Sequence, residues 1–217
     1  MQIIEATRRA WIRLPSGRHL DLINPSPDAW LDSDLAIRLS RTYRWGGESR
    51  WPLPLSVAQH SLFVLALRRQ MSDAPLSLVV SLQELLHDAE EGFLGFDCIS
   101  PLKAVLGKPF QDVSNRLMRT ICARYDVPPW REDDYVLHKQ ADLIAAASEA
   151  VHCIGWSHEE VRNVLGISHP ILETDPLSTV YGDEPWMPWP AELATERFLD
   201  ALSNLLQSGR KEVSQLA

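Results

Sequence analysis

The stretch PLSLVVSLQELLHDAEEG, residues 75–92, combines an almost continuous apolar pattern with a few strongly polar side chains. Pro75 suits the first turn of a helix, and Gly92 and Gly95 are typical of a helix end. Apolar residues cover nearly the whole circumference of the predicted helix, which indicates that it is buried. They are Leu76, Leu78, Val79, Val80, Leu82, Leu85, Leu86 and Ala89. We therefore predict one long buried helix that ends near Gly92 or Gly95.

Four polar residues interrupt this apolar pattern at helical spacing. They are Glu84, His87, Asp88 and Glu91, at positions i, i+3, i+4 and i+7. This spacing places them on one stripe of the helix. A buried stripe of three carboxylates and an imidazole is costly unless a cation compensates it, whereas an exposed polar face is the general alternative. The adjacent His87-Asp88 pair favours a metal site, because both side chains can bind one ion.

Two other predicted helices each contribute a candidate ligand. His60 lies in an apolar run, where a histidine is more often a hydrogen-bonded core residue than a ligand. Asp142 lies in the alanine-rich run KQADLIAAASEA, residues 139–150, whose small side chains leave room for a ligand or a close helix. The resulting set offers two imidazole nitrogens and two carboxylate oxygens, which suits Mn²⁺, Fe²⁺, Co²⁺, Ni²⁺ or Zn²⁺ and tolerates Mg²⁺. Four ligands on an octahedral ion leave two positions open for a water and a substrate oxygen.

The composition is that of a globular protein. The chain has 217 residues, 45% of them hydrophobic and 23% charged, with a formal net charge of -8. A core of this size excludes an intrinsically disordered chain, and the acidic balance argues against dedicated nucleic-acid binding. No apolar run reaches the roughly 18 residues of a membrane span, and residues 1–15 lack the apolar core of a signal peptide. The three widely spaced cysteines favour a reducing cytoplasm.

The order of patterns along the chain predicts a mostly α, single-domain protein over residues 1–217. Residues 10–23 favour a small N-terminal β-hairpin around the turn signal Pro15-Ser16-Gly17, and residues 43–55 a loop. The remaining periodicity is helical, and spacings typical of capping boxes begin at Ser56 and Ser157. The predicted helices cover residues 33–42, 56–69, 75–92, 109–125, 132–153, 157–166 and 191–207, the last closed by Gly209. The proline-rich segment 167–190 is predicted to be irregular.

An ordered set of motifs covers most of the chain. It comprises GRHLDLINP (17–25), LSRTYRWGG (39–47), SVAQHSLFV (56–64), LLHDAEEGFLG (85–95), SPLK (100–103) and KQAD (139–142). In this order the motifs resemble those of the HD-domain metal-dependent phosphohydrolases, which are helical bundles. The subgroup they resemble contains bacterial 5′-deoxynucleotidases and small phage-type deoxynucleotide phosphohydrolases.

The resemblance implies a role for each matching residue. One divalent metal ion would be bound by His60, His87, Asp88 and Asp142. Glu91 matches the acidic residue that positions or deprotonates the attacking water, and a carboxylate there is suited to general-base catalysis. Arg44 matches an arginine that grips the substrate phosphate, and Trp45 beside it can pack on a sugar or base, although a tryptophan is more often core.

The segment after the HD motif departs from the family pattern. Relatives usually read G-D-x-P-x-P-x-K, whereas residues 95–103 are one residue longer and one proline is replaced. We expect Asp97 to take the catalytic role of the family's aspartate and Lys103 to bind phosphate or cap the loop. Glu90 is expected to point to solvent. His138 is a candidate hydrogen-bonding neighbour of the ligands, and surface or loop positions are expected for His19, His152, His158 and His169.

The expected function is hydrolysis of a small-molecule nucleotide, most specifically release of phosphate from deoxynucleoside monophosphates. A dNTP triphosphohydrolase is the first alternative, with Arg41, Arg44 and Arg50 as candidate binders of the longer phosphate chain. A non-catalytic nucleotide-sensing HD module is the second alternative. The resemblance implies a homodimer or larger homo-oligomer, with no membrane partner. The segment YGDEPWMPWP, residues 181–190, is a candidate interface or pocket lid.

Overall fold

The N-terminal hairpin and a set of helices make up the fold of residues 10–216, which a computed structural model of the protein describes without the side chains of Ser100 and residues 210–216. Residues 1–9 lie outside the described range. They are most of residues 1–15, the segment predicted to lack the apolar core of a signal peptide. The protein is mostly helical, with 60% helix and 4% strand, which confirms the predicted class. Among the described residues, no helix is both long and apolar enough to cross a membrane.

The hairpin pairs β1 (Trp11–Arg13) with β2 (His19–Asp21) in antiparallel register, with Ile12 opposite Leu20. Its turn is closed by the Gly17 N–H, which donates to the Leu14 carbonyl at 2.9 Å, and Gly17 takes the positive φ of 88° that the turn requires. The main-chain N–H and the hydroxyl of Ser16 both donate to the Asp34 carboxylate at 2.7 Å. These two bonds attach the hairpin to the first helix.

The helices follow in chain order, with one 3₁₀ turn and one π-helical turn. They are α1 (Asp32–Ser40), the 3₁₀ turn Trp45–Gly47, α2 (Val57–Gln70), α3 (Leu78–Leu86), α4 (Ala89–Leu94), α5 (Ser100–Arg124), α6 (Glu132–Glu149), the π-helical turn Ala150–Ile154, α7 (His158–Asn163), α8 (Pro176–Tyr181) and α9 (Ala191–Leu216). Helix α2 is buried over nearly its whole length and packs against α1, α3, α6, α8 and α9. The side chain of its His60 is therefore held in the centre of the molecule.

The predicted long helix over residues 75–92 is wrong, because the chain forms two helices there. Helix α3 begins only after Ser77, whose hydroxyl accepts the Val80 N–H, so Pro75 lies outside it. The break follows at His87 and Asp88, and Asp88 has the non-helical angles φ -114° and ψ 22°. Apolar residues all round a buried segment do not show where its axis changes direction, so the periodicity could not reveal the break.

Three other helix boundaries differ from prediction for local reasons. Helix α5 begins at Ser100 rather than 109 and contains a kink at Gly107, with φ 70° and ψ -162°. Helix α6 ends at Glu149 and continues as a π-helical turn. Helix α9 does not end at Gly209 but continues to Leu216. A Cβ at Gly209 would lie 2.5 Å from Leu78 Cδ2, so this glycine allows close packing against α3 instead of ending the helix.

The tryptophan-rich segment 181–190 is packed into the protein rather than standing free as a lid. Trp186 and Trp189 are buried, and the Trp189 N–H donates to Gln59 Oε1 at 2.8 Å. Gln59 Nε2 in turn donates to the Met187 carbonyl at 3.0 Å. Ser56 caps α2 as predicted by accepting the Gln59 N–H, but the Gln59 side chain anchors this segment instead of completing a capping box. The predicted irregular region also contains the short helix α8.

Candidate metal centre

The four predicted ligands come together from three parts of the chain. His60 is on α2, His87 and Asp88 stand at the break between α3 and α4, and Asp142 is on α6. The Nε2 atoms of the two histidines are 3.2 Å apart. His60 Nε2 is 3.4 Å from Asp142 Oδ1 and 3.7 Å from Asp88 Oδ2, and His87 Nε2 is 3.3 Å from Asp88 Oδ2. His60 is fully buried, while the two aspartate side chains remain about one-fifth exposed, so one side of the cluster is open.

Hydrogen bonds to the opposite ring nitrogens aim both histidines at the centre. His60 Nδ1 lies 2.6 Å from Glu149 Oε1, and His87 Nδ1 lies 2.7 Å from the Glu84 carbonyl oxygen. Because both partners are acceptors, the network assigns the ring proton to Nδ1 in each neutral histidine and leaves each Nε2 with a lone pair. Two lone pairs facing at 3.2 Å require a cation or a proton between them. His60, His87 and Asp88 place ligand atoms within 4.8 Å of one another, a donor set that suits a divalent metal. Asp142 lies outside this group, but its Oδ1 is 3.4 Å from His60 Nε2, so it would be the fourth ligand.

The charges around the cluster attract positive charge. Burial and the Arg44 charge lower the pKa of His60, but Glu149 and Asp142 outweigh them and raise it to about 9. Burial raises the pKa of Asp88, but His87 opposes this and holds it far below its ordinary value. The Asp88 carboxylate is therefore ionised at neutral pH, and its negative charge is offset either by a proton on His60 or by a bound metal ion.

Glu149 is a residue of this centre that the sequence analysis missed. Its carboxylate is buried, with Oε1 accepting from His60 and Oε2 accepting from Arg44 Nε at 2.9 Å and from Trp45 Nε1 at 3.3 Å. Burial raises its pKa, but Arg44 and His60 outweigh burial and lower it. Glu149 is seven residues after Asp142, two helical turns along the same face, and this spacing was the available signal. One carboxylate thus orients a metal ligand and the candidate phosphate-binding arginine.

We expect Glu149→Gln to weaken divalent-metal affinity by roughly 10- to 100-fold, the range for residues that orient a metal-binding histidine. A glutamine amide can accept from His60 or from Arg44, but it cannot give both a charged acceptor. Titration calorimetry with Mn²⁺ measures the change, and Glu196→Gln on an exposed part of α9 is the control. Unchanged affinity in Glu149→Gln would show that His60 is oriented without this carboxylate.

Arg44 and Trp45 lie beside the ligands. Arg44 is buried, and its Nη1 is 3.9 Å from Asp88 Oδ2 and 3.8 Å from Asp97 Oδ1. Burial lowers the pKa of Arg44, but Glu149 and the aspartates outweigh burial and hold it above its ordinary value. Trp45 has a φ of 58°, a left-handed conformation that costs a non-glycine residue about 1–3 kcal/mol. This backbone turn is what brings the Trp45 indole N–H to Glu149.

Glu91 and Lys103 form an ion pair from α4 and the first turns of α5. Glu91 is buried, and its Oε1 accepts from Lys103 Nζ at 3.0 Å and from the Cys98 N–H at 3.3 Å. Its Oε2 is buried and has no hydrogen-bond partner among residues 10–209, the side chain of Ser100 left aside. Burial and the Asp88 charge raise the pKa of Glu91 to about 9, against the opposing effect of Lys103. Glu91 therefore holds a proton far more readily than an exposed glutamate.

Two acidic residues of the HD region do not lie where the sequence predicted. Glu84 is not on a stripe with His87 and Glu91, because the helix break rotates the residues that follow it. Its buried carboxylate is 3.2 Å from Arg68 Nε and 2.8 Å from His138 Nδ1. Glu90 does not point to solvent but is buried, and its Oε1 accepts from the Ser114 hydroxyl at 3.1 Å. Glu84 of α3 therefore connects α2 and α6, and Glu90 of α4 is bonded to α5.

Glu84→Ala is expected to lower the free energy of unfolding by about 3–5 kcal/mol, the usual cost of removing one partner of a buried ion pair. Arg68 is only 3% exposed and would lose its nearest carboxylate, and His138 would lose its acceptor. Urea unfolding measures the effect, with Glu196→Ala as the exposed control. A loss of under 1 kcal/mol would mean that Arg68 reaches Asp134 or water instead.

The remaining predicted residues are placed as follows. The ring of His138 stacks on Trp130 at 4.7 Å and lies 4.8 Å from the His87 ring, so it is a neighbour of the ligands. His152 is half-buried, since its ring stacks on Trp186 at 4.1 Å and its Nε2 lies 2.8 Å from the Leu172 carbonyl oxygen. Arg41 and Arg50 are exposed, and neither forms an ion pair within the described part of the chain.

Comparison with known proteins gives one informative relation. No protein-family model matches the chain. The chain is 35% identical to an uncharacterized protein of Rhodobacter capsulatus over 166 residues, which is 76% of this chain and 84% of that protein. The two proteins are similar over most of both lengths, and the chain belongs to the same family.

Proposed function

We propose that this member of the family is a divalent-metal-dependent phosphohydrolase that releases phosphate from deoxynucleoside 5′-monophosphates. The observation that carries the proposal is the convergence of His60, His87, Asp88 and Asp142, with both imidazole Nδ1 atoms engaged and both Nε2 atoms turned to the same point. The resemblance of the ordered motifs to HD-domain phosphohydrolases supports the same reading.

The surrounding residues have the chemistry that phosphate ester hydrolysis needs. A divalent metal bound at the four ligands supplies Lewis-acid polarisation of the phosphoryl group and activation of water. Arg44 neutralises charge on the phosphate oxygens, since its Nη1 faces the ligands while its Nε is fixed by Glu149. Glu91 Oε2 is the proposed acceptor of the proton of the attacking water, because Oε1 is already engaged by Lys103 and Cys98. A divalent metal at the ligands would offset the Asp88 charge that raises the pKa of Glu91, and so would favour the ionised form that a base needs.

The placement of the arginines favours a monophosphate over a triphosphate. Arg44 is the arginine that lies beside the ligands, with Nη1 3.9 Å from Asp88 Oδ2. Of the three arginines that were candidates for a triphosphate site, Arg44 lies beside the ligands, whereas Arg41 and Arg50 form no ion pair with carboxylates of the centre among the described residues. A triphosphate would therefore find Arg44 but not the two further arginines that the sequence offered for a longer phosphate chain.

A nucleotide-sensing module is the alternative from another class. The complete ligand set together with Glu91 argues against it, because a module that only binds a nucleotide does not need a water-activating carboxylate. Tight nucleotide binding without turnover would favour the sensor. The proposal also places the protein in a reducing cytoplasm, in keeping with its three free cysteines, and as a homodimer or larger homo-oligomer.

The decisive experiment is a substrate panel. The purified protein is incubated with Mn²⁺ or Co²⁺ and a series of deoxy- and ribonucleoside mono- and triphosphates, with an EDTA-treated sample as control. We expect phosphate release from the deoxynucleoside monophosphates only when metal is present. Release of tripolyphosphate from dNTPs would replace this proposal with the triphosphohydrolase, and no release from any nucleotide would refute both.

A further inference from the structure

A second site is suggested by a groove between the hairpin, α1 and the end of α4. Its volume is about 430 Å³, within the range of small-molecule pockets. Three arginines from two elements line it, Arg13 of β1 and Arg38 and Arg41 of α1, together with Gly95 at the end of α4. We call it the arginine groove. None of the ligands of the candidate metal centre lines it.

The positive charge in the arginine groove is uncompensated within the described residues. None of its lining residues is acidic, and no carboxylate of residues 10–209 forms an ion pair with Arg13, Arg38 or Arg41. The Arg38 guanidinium donates instead to neutral carbonyls, from Nε to Gly92 at 2.6 Å and from Nη2 to Phe93 at 3.3 Å. Burial accordingly lowers the pKa of Arg38, whereas carboxylates raise that of Arg44.

This concentration of charge is unusual for a chain with a net charge of -8. Guanidinium groups bind phosphate oxygens in bidentate geometry, and two or three of them around one groove can bind a di- or triphosphate. Arg13 and Arg41 are exposed and free to reorient, while Arg38 is fixed at the C-terminal end of α4. That helix also carries Glu91. An anion in the groove would therefore lie next to the segment that holds the candidate general base.

We propose that the arginine groove binds the phosphate chain of a small phosphorylated ligand, a nucleoside di- or triphosphate or inorganic pyrophosphate, at a site separate from the metal centre. The proposal goes beyond the proposed hydrolase activity and does not depend on it. Binding here is carried by arginine side chains and needs no divalent metal.

The test measures binding without turnover. Pyrophosphate, inorganic phosphate and dATP are each titrated into the full-length protein by calorimetry in EDTA and 150 mM salt, which keeps metal out of the other site. We expect pyrophosphate and dATP to bind better than phosphate, and Arg13→Ala/Arg41→Ala to weaken that binding by about tenfold or more. The matched control is Arg119→Ala/Arg162→Ala, which removes two exposed arginines elsewhere and should bind as the parent does.

Each outcome decides the proposal. Binding of dATP much tighter than pyrophosphate would identify the ligand as a nucleotide, and equal binding would identify it as the inorganic anion. A parent protein that binds neither, or an Arg13→Ala/Arg41→Ala variant that binds as well as the parent, would overturn the arginine groove as a site. If the double variant unfolds, Arg41→Glu alone should still abolish binding, because it replaces one cation at the exposed end of α1.

Discussion

Asp88→Ala is expected to abolish tight metal binding and to lower kcat/KM for a nucleotide monophosphate by roughly a thousandfold. The metal in such a site is worth several kcal/mol of transition-state stabilisation, and each 1.4 kcal/mol is a factor of ten. Asp88 Oδ2 is the carboxylate oxygen within 4 Å of both histidine Nε2 atoms and of Arg44 Nη1. Its removal leaves two facing imidazoles with only Asp142 to balance a divalent charge.

The fold should survive this substitution, which makes the result interpretable. Asp88 precedes α4, but its side chain makes no capping hydrogen bond there. The metal content of the purified variant, measured by mass spectrometry, should fall while its thermal unfolding changes little. Asp112→Ala, at a half-exposed position on α5, is the control. Full metal content in Asp88→Ala would remove this residue from the ligand set.

Glu91→Gln is expected to keep the metal and lose turnover by about 10²- to 10⁴-fold, the usual contribution of a general base. The change preserves the size of the side chain and leaves an oxygen for the Cys98 N–H, while it removes the carboxylate charge that lies 3.0 Å from Lys103 Nζ. The measurement is kcat at saturating substrate together with metal content. The combination of full metal content and low kcat separates this residue from the ligands.

Glu90→Gln is the matched control, since Glu90 is adjacent and also buried, and its Oε1 accepts from the Ser114 hydroxyl and lies 4.0 Å from Lys103 Nζ, farther than that of Glu91. Its kcat should stay within a few-fold of the parent. Equal activity of Glu91→Gln and Glu90→Gln would show that Glu91 is not the base, and Asp97 would then be the next residue to test.

The helical class and the approximate place of most helices could be predicted, because apolar periodicity and capping residues are local properties. Ser157 and Glu160 form the full capping box that their spacing predicts. What could not be predicted is a break inside an apolar run, since residues 78–86 and 89–94 are each buried on most sides. The break changes which side chains share a face, and for that reason Glu84 was assigned to the wrong neighbours.

The candidate site was also predicted only in part. The four ligands were predicted from polar residues in apolar helical runs and from the family resemblance. The structure brings His60, His87 and Asp88 together and places Asp142 Oδ1 3.4 Å from His60 Nε2. Glu149 was missed because its partners, His60 and Arg44, are 89 and 105 residues away in sequence. Contacts of that separation follow from the packing of α2 against α6, which no local pattern contains.

The hydrogen bond from His87 to the Glu84 carbonyl has a consequence for redesign. That carbonyl lies in the last turn of α3, where helix geometry leaves main-chain oxygens without a partner. Histidine can satisfy the oxygen with one ring nitrogen and present the other to an ion, whereas cysteine and aspartate have no second donor atom for that purpose. Exchanging His87 for another type of metal-binding side chain would therefore weaken the end of α3, even where the new side chain still bound the ion. Changes intended to alter the preferred metal are therefore better made at Asp88 and Asp142 than at His87.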